Sequence, residues 1–127
     1  MIDRDLAVLR YLKLATLART RQQLAGCDRF LVLAGATACH TGWLDIANQC
    51  RALVLQDNPH HLLHRWDTMA DALRNEEFTP YLRQQERFCS MEQAETLLTV
   101  LGEDVILEED KSLKEQTLAE LDKLQTS

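Results

Sequence analysis

The chain has 127 residues, 46% of them hydrophobic, and 20 acids against 14 lysines and arginines for a net charge of −6. That length and apolar content suit one domain with a true core, and the acidic balance, with no basic patch interleaved with aromatics, argues against a nucleic-acid partner. Charges at positions 3, 4, 5, 10 and 13 interrupt any secretory signal, and the uncharged run from Phe30 to Leu44 is shorter than the roughly 17 to 25 residues that cross a bilayer, so a soluble, cytoplasmic protein with no membrane partner is expected.

Asp3 to Ala25 lacks Gly and Pro and is rich in good helix formers, which predicts one long helix ended by Gly26. Its leucines spread beyond one stripe, so the helix should touch more than one neighbour. Asp28 is placed to cap a second helix that takes up the run from Phe30 to about His40. Between Phe30 and Leu44 there is no Asp, Glu, Lys or Arg, and small residues recur at Ala34, Gly35, Ala36, Ala38 and Gly42. A segment apolar at every helical angle must be covered on several sides, and its small residues let other backbones come close. Gly42 reads as a turn into a further helix, Trp43 to Gln56. The alternative is a weak point in one continuous helix, costing about 1 kcal/mol relative to Ala.

Residues 28 to 61 resemble one tetratricopeptide repeat, a pair of antiparallel helices in about 34 residues with small residues at the helix crossing and a proline near the end. Gly35, Gly42, Ala47 and Pro59 stand at that family's glycine, alanine and proline positions, while Leu31, Ala38 and Arg51 stand where it favours Trp, Tyr and Phe. The resemblance implies stacked helical hairpins with a groove for a peptide or partner helix.

Asn58-Pro59 is a helix start signal, and Leu62, Leu63, Trp66, Met69, Ala70 and Leu73 fall within about 120° at helical spacing, predicting an amphipathic helix from Pro59 to about Asn75. Thr79-Pro80 either begins the following helix or kinks one already running. Ser90 with Gln93 forms a capping-box pattern, and Gly102 closes that helix. Ser112 with Glu115 repeats the pattern ahead of an amphipathic helix carrying Leu113, Leu118, Leu121 and Leu124. Residues 103 to 127 hold eight acids against three lysines, a balance of −5.

The expected fold is therefore all-α, with five to seven helices in antiparallel hairpins, either tetratricopeptide-like or an irregular helical bundle. Residues 1–102 form the core domain, and residues 103–127 supply an acidic segment and a C-terminal helix packing on it.

If the 59–75 helix forms, His60, His64, Asp67 and Asp71 share the face opposite its apolar side. Imidazoles four residues apart with a carboxylate one turn on can hold a divalent ion such as Zn²⁺, with His40 as a fourth ligand. The same stripe also describes an ordinary solvated helix face, and it lacks the internal Glu of zinc hydrolases. His40, His60 and His64 in this arrangement resemble the DinB-like metal-binding helical bundles. Cys27, Cys39, Cys50 and Cys89 have no metal-finger spacing and read as free buried thiols. Cys39-His40 is a neighbour pair without a demonstrated base, and no phosphate-binding glycine loop is present. The function these features favour is a protein–protein interaction module without a cofactor, binding another protein or peptide or a second copy of itself. The competing class is a metal-binding bundle or metal-dependent enzyme built on His60, His64 and Asp67.

Overall fold

A computed structural model describes residues 3–126. Those residues form seven α-helices and one 3-10 turn, with no strand: α1 Arg4–Thr20, α2 Leu24–His40, α3 Leu44–Asp57, the 3-10 turn Leu62–Arg65, α4 Met69–Leu73, α5 Thr79–Phe88, α6 Met91–Leu101 and α7 Leu113–Thr126. The all-α class follows from good helix formers, helix caps and turn residues along the chain, with amphipathic stripes in some segments and no alternating run of β-branched residues.

Helix α2 is the centre of the molecule. It packs against α1, α3, α4 and α5, and Leu31, Val32, Leu33, Ala34, Ala36 and Ala38 are all buried. Gly35 is where the neighbours come closest: a Cβ built on it would lie 2.6 Å from Met69 Cε, 3.2 Å from Cys50 Cβ and 3.4 Å from the Ala47 carbonyl oxygen. The missing side chain lets α3 and α4 sit directly on the α2 backbone.

Two tight turns set the antiparallel hairpins α1–α2 and α2–α3. In the second, Gly42 has φ +83°, its N–H donates to Cys39 O at 3.1 Å, and the Trp43 N–H donates to Ala38 O at 2.9 Å. This pair of bonds around a left-handed residue is a Schellman motif, so Gly42 is a turn as its sequence suggests. The first turn has the same wiring with no glycine. Gln22 takes φ +59°, donating to Arg19 O at 2.9 Å, and Gln23 donates to Ala18 O at 2.8 Å. The expectation of one helix to Ala25 closed by Gly26 is corrected accordingly: Gly26 lies inside the first turn of α2, and Asp28 lies within that helix rather than capping it.

The region after α3 departs most from the sequence pattern. No helix runs from Pro59 to Asn75; a 3-10 turn and the five-residue α4 stand there, separated by extended backbone at Trp66 and Thr68. Side chains take the amide protons a helix would need. His61 Nδ1 accepts from Leu63 N at 3.1 Å, Asn48 Oδ1 of α3 accepts from Met69 N at 3.1 Å, and Thr68 Oγ1 accepts from Asp71 N at 3.0 Å. Such bonds offer the backbone an alternative to the helical ladder. The apolar residues still turn inward, with Leu63, Met69 and Ala72 buried, but Trp66 is only half-buried, edge-on to Phe78 at 5.6 Å.

Pro80 sits in the first turn of α5, where its absent N–H costs nothing. Ser90 and Gln93 close a reciprocal capping box on α6, and Ser112 and Glu115 do the same ahead of α7. Helix α6 packs on α1, and the buried Tyr11 hydroxyl donates to Cys89 O at 2.8 Å, tying α1 to the α5–α6 junction. Helix α7 lies against α1 and α3. Thr16 Oγ1 donates to Glu120 at 2.7 Å and the Arg19 guanidinium to the Leu124 carbonyl, so α7 runs in the same sense as α1.

Candidate functional site

The histidines singled out by spacing do not come together. Without a helix over residues 59 to 75, the i, i+4 relation no longer puts His60 and His64 on one face; both are exposed, as is Asp67. His64 Nδ1 is 2.9 Å from the His61 carbonyl oxygen, and Asp71 pairs with Arg74 at 3.1 Å. His40 ends α2 at one end of α3, whereas His60 follows the other end, a helix rise of about 20 Å away. Among the described residues, no three His, Cys, Asp or Glu side chains gather into a set that could hold a metal ion.

His61, which the spacing argument passed over, is the histidine built into the structure. Because Leu63 N–H donates to Nδ1, the ring proton is on Nε2, which donates to Tyr81 Oη at 2.9 Å. Burial holds the imidazole below its ordinary pKa and, as the largest of several causes, pushes the Tyr81 hydroxyl up to about 12. Asp28 belongs to the same end of the molecule. Its Oδ1 is buried without a hydrogen-bond partner, and burial, followed by the nearby Asp57 carboxylate, raises its pKa to about 6 against the pull of Arg19. Arg19 itself holds Asp57 at 2.7 Å. Neutral His61, neutral Tyr81 and a carboxyl that resists ionisation are what a buried polar seam requires.

The thiols are equally unsuited to nucleophilic work. All four are free. Burial raises each, Cys50 to about 12 and Cys89 to about 11, and Cys39 is raised despite the nearby Arg74. The thiolate is the reactive form, and these sites disfavour it.

The surface feature with the chemistry of a binding site is a groove of about 220 Å³ lined by Leu14, Leu17 and Ala18 of α1, Arg21 and Gln23 of the first turn, Gly26 and Phe30 of α2, Phe88 at the end of α5, and Leu97 and Leu101 of α6. Arg21 is the one charged residue in this lining. Phe88 forms the mouth: its ring lies 5.5 Å from that of Phe30, with the Arg29 guanidinium 4.8 Å over it, and the residue remains 43% exposed. Val100, one helical step from Leu97 and Leu101, is also strongly exposed. The other depressions differ in character. One between α1, α7 and the segment before it mixes Lys13, Lys111 and Lys123 with Asp104, Glu108 and Glu120, and another between α1, α2, α5 and α6 is rimmed by Arg4, His40, Glu86 and Glu92.

Nothing in the sequence pointed to this groove, because its walls come from residues 14–30 and 88–101, segments that meet only in the fold. The one local hint was an aromatic, Phe88, at a helix end with only Gln84 and Gln85 one turn before it. No helix among the described residues is long and apolar enough to cross a membrane. No known protein family, curated protein or solved structure matches this chain.

Proposed function

We propose that this protein is a helical protein-binding module whose partner seats in the groove between α1, α2 and α6. The observation that carries this reading is Phe88, an aromatic ring fixed between Phe30 and Arg29 and left 43% exposed at the mouth of an apolar cleft. Apolar surface of this kind, rimmed by polar groups, is what partner-binding sites present, and an aromatic beside arginine has the composition of an interface anchor. Arg21 and Arg29 favour an acidic partner segment, held by its apolar face in the cleft and by its charges at the rim. The resemblance of residues 28 to 61 to a tetratricopeptide repeat adds support by analogy, and Gly35 does lie against Ala47, two of the residues on which that resemblance rests.

A photo-crosslinking side chain at Gln23, on the groove rim, tests the proposal in cells that express the protein. The expected result is a discrete protein adduct that disappears in Phe88→Glu and that the same crosslinker placed at Arg83, away from the groove, does not form. Identical adducts from both positions, or none from Gln23, would refute the groove as the binding surface.

A further inference from the structure

The same chain carries a segment that fits this groove. Between α6 and α7, residues 103–110 place five acids around Val105, Ile106 and Leu107. Val105 packs on the core, whereas Ile106 is 86% exposed and Leu107 53%. Among the described residues, the backbone groups of these three make no hydrogen bond. The segment is nevertheless strapped at both ends. Thr99 Oγ1 donates to Asp104 at 2.9 Å; Gln116 accepts from Glu108 N at 3.0 Å and donates to Glu108 O at 3.3 Å. An apolar side chain held out in water on an already ordered segment is a preorganised contact, because less entropy is left to lose on binding.

We propose that Ile106 of one copy seats in the groove of a second copy, with the acids around it facing Arg21 and Arg29. The inference rests on the reading of the groove as a protein-binding surface and names its occupant. Charge favours this pairing: Glu103 and Glu108 are paired with Lys13 and Lys111 of the same chain, but tip against tip would still oppose Asp104, Glu109 and Asp110 with the same three, whereas the groove offers an apolar lining whose one charge is positive. Topology allows it to be mutual. The groove ends at Leu101 and the tip lies five positions further on, so both flank the C-terminal end of α6. A two-fold axis beside that end brings each tip to the other's groove in one self-complementary interface.

Sedimentation equilibrium of the purified full chain, from roughly 10 µM to 1 mM as suits a small interface, tests the proposal. Mass should rise with concentration from 14.6 kDa toward twice that value, and high salt should shift it back. Ile106→Asp and Arg21→Glu alter exposed residues, so both should keep the parent's helical spectrum, and each should remain monomeric throughout. A parent chain that is monomeric at every concentration overturns the proposal, as does a dimer indifferent to either substitution. The crosslink from Gln23 to a different protein is a separate readout, so loss of the self-contact and loss of the groove reading are told apart.

Discussion

At the scale of single residues, burial pushes several titratable groups toward their neutral forms, and Asp28 shows the consequence. Its carboxyl has an ordinary pKa of 3.8 and one of about 6 in the fold, mainly through burial and then through Asp57. The native state therefore binds this proton more tightly than the unfolded chain does. That contribution to stability is complete below pH 3.8 and is lost as pH rises through about 6. Asp28→Asn keeps the shape and removes the charge, so it should raise the melting temperature at neutral pH and change it little near pH 4, where native Asp28 is already protonated. Thermal melts of both proteins across that range check the sign. A variant that melts lower than the parent at neutral pH would mean that the ionised carboxylate is doing something the fold needs. His61 acts in the opposite sense, since its lowered pKa makes its contribution present above its ordinary value of 6.5 and lost on acidification through the folded value; the comparison between parent and variant isolates Asp28.

At the scale of elements, α1, α2 and α6 each end on a left-handed residue, and at Gln22 and Gly42 the hydrogen bonding is the same while the residue differs. A side chain in that conformation costs about 1 to 2 kcal/mol, partly offset by glycine's larger loss of freedom on folding. Gln22→Gly should therefore stabilise the protein by about 0.5 to 1 kcal/mol, and Gly42→Ala should cost about 1 kcal/mol, both read from urea unfolding midpoints. A destabilising Gln22→Gly would show that the Gln22 side chain makes a contribution beyond the turn. These turns also explain what the sequence made legible. Gly42, Gly102, Pro80, Ser90 with Gln93 and Ser112 with Glu115 act within a few residues of themselves, so their meaning can be read locally. Gln22 has no such preference, and the α1–α2 break was hidden among good helix formers. The helix expected over residues 59 to 75 had the right period, but Asn48, from a distant turn of α3, takes the Met69 amide, and no local pattern announces that bond. The histidine stripe disappeared with that helix. The groove was illegible for the same reason in reverse, because Leu14, Phe30, Phe88 and Leu97 belong to four helices that meet only after folding.

At the scale of the whole molecule, α7 decides whether α1 and α3 are covered on their second side. It lies between α1 and α3 and buries Thr117, Glu120, Leu121 and Leu124, and none of its residues lines the α1–α2–α6 groove. Helix α7 is thus placed as a cover for the bundle and not as an occupant of the α1–α2–α6 groove. Leu121 and Leu124 are fully buried, worth about 3 to 6 kcal/mol together, against a total stability of about 5 to 15 kcal/mol for a domain. Removing residues 111 to 127 would also strip Thr16 of Glu120 and the Glu108 strap of Gln116. The truncated protein should melt at least about 10 °C lower, since each kcal/mol shifts a domain of this size by a few degrees. Leu121→Ala removes packing while leaving both hydrogen-bonded contacts in place, and it should cost about 2 to 5 kcal/mol without altering self-association by the tip. If the truncated chain instead melts like the parent, α7 contributes nothing to the bundle. If Leu121→Ala alone reproduces the whole loss, the cover acts through its leucines and the polar contacts serve to set its register.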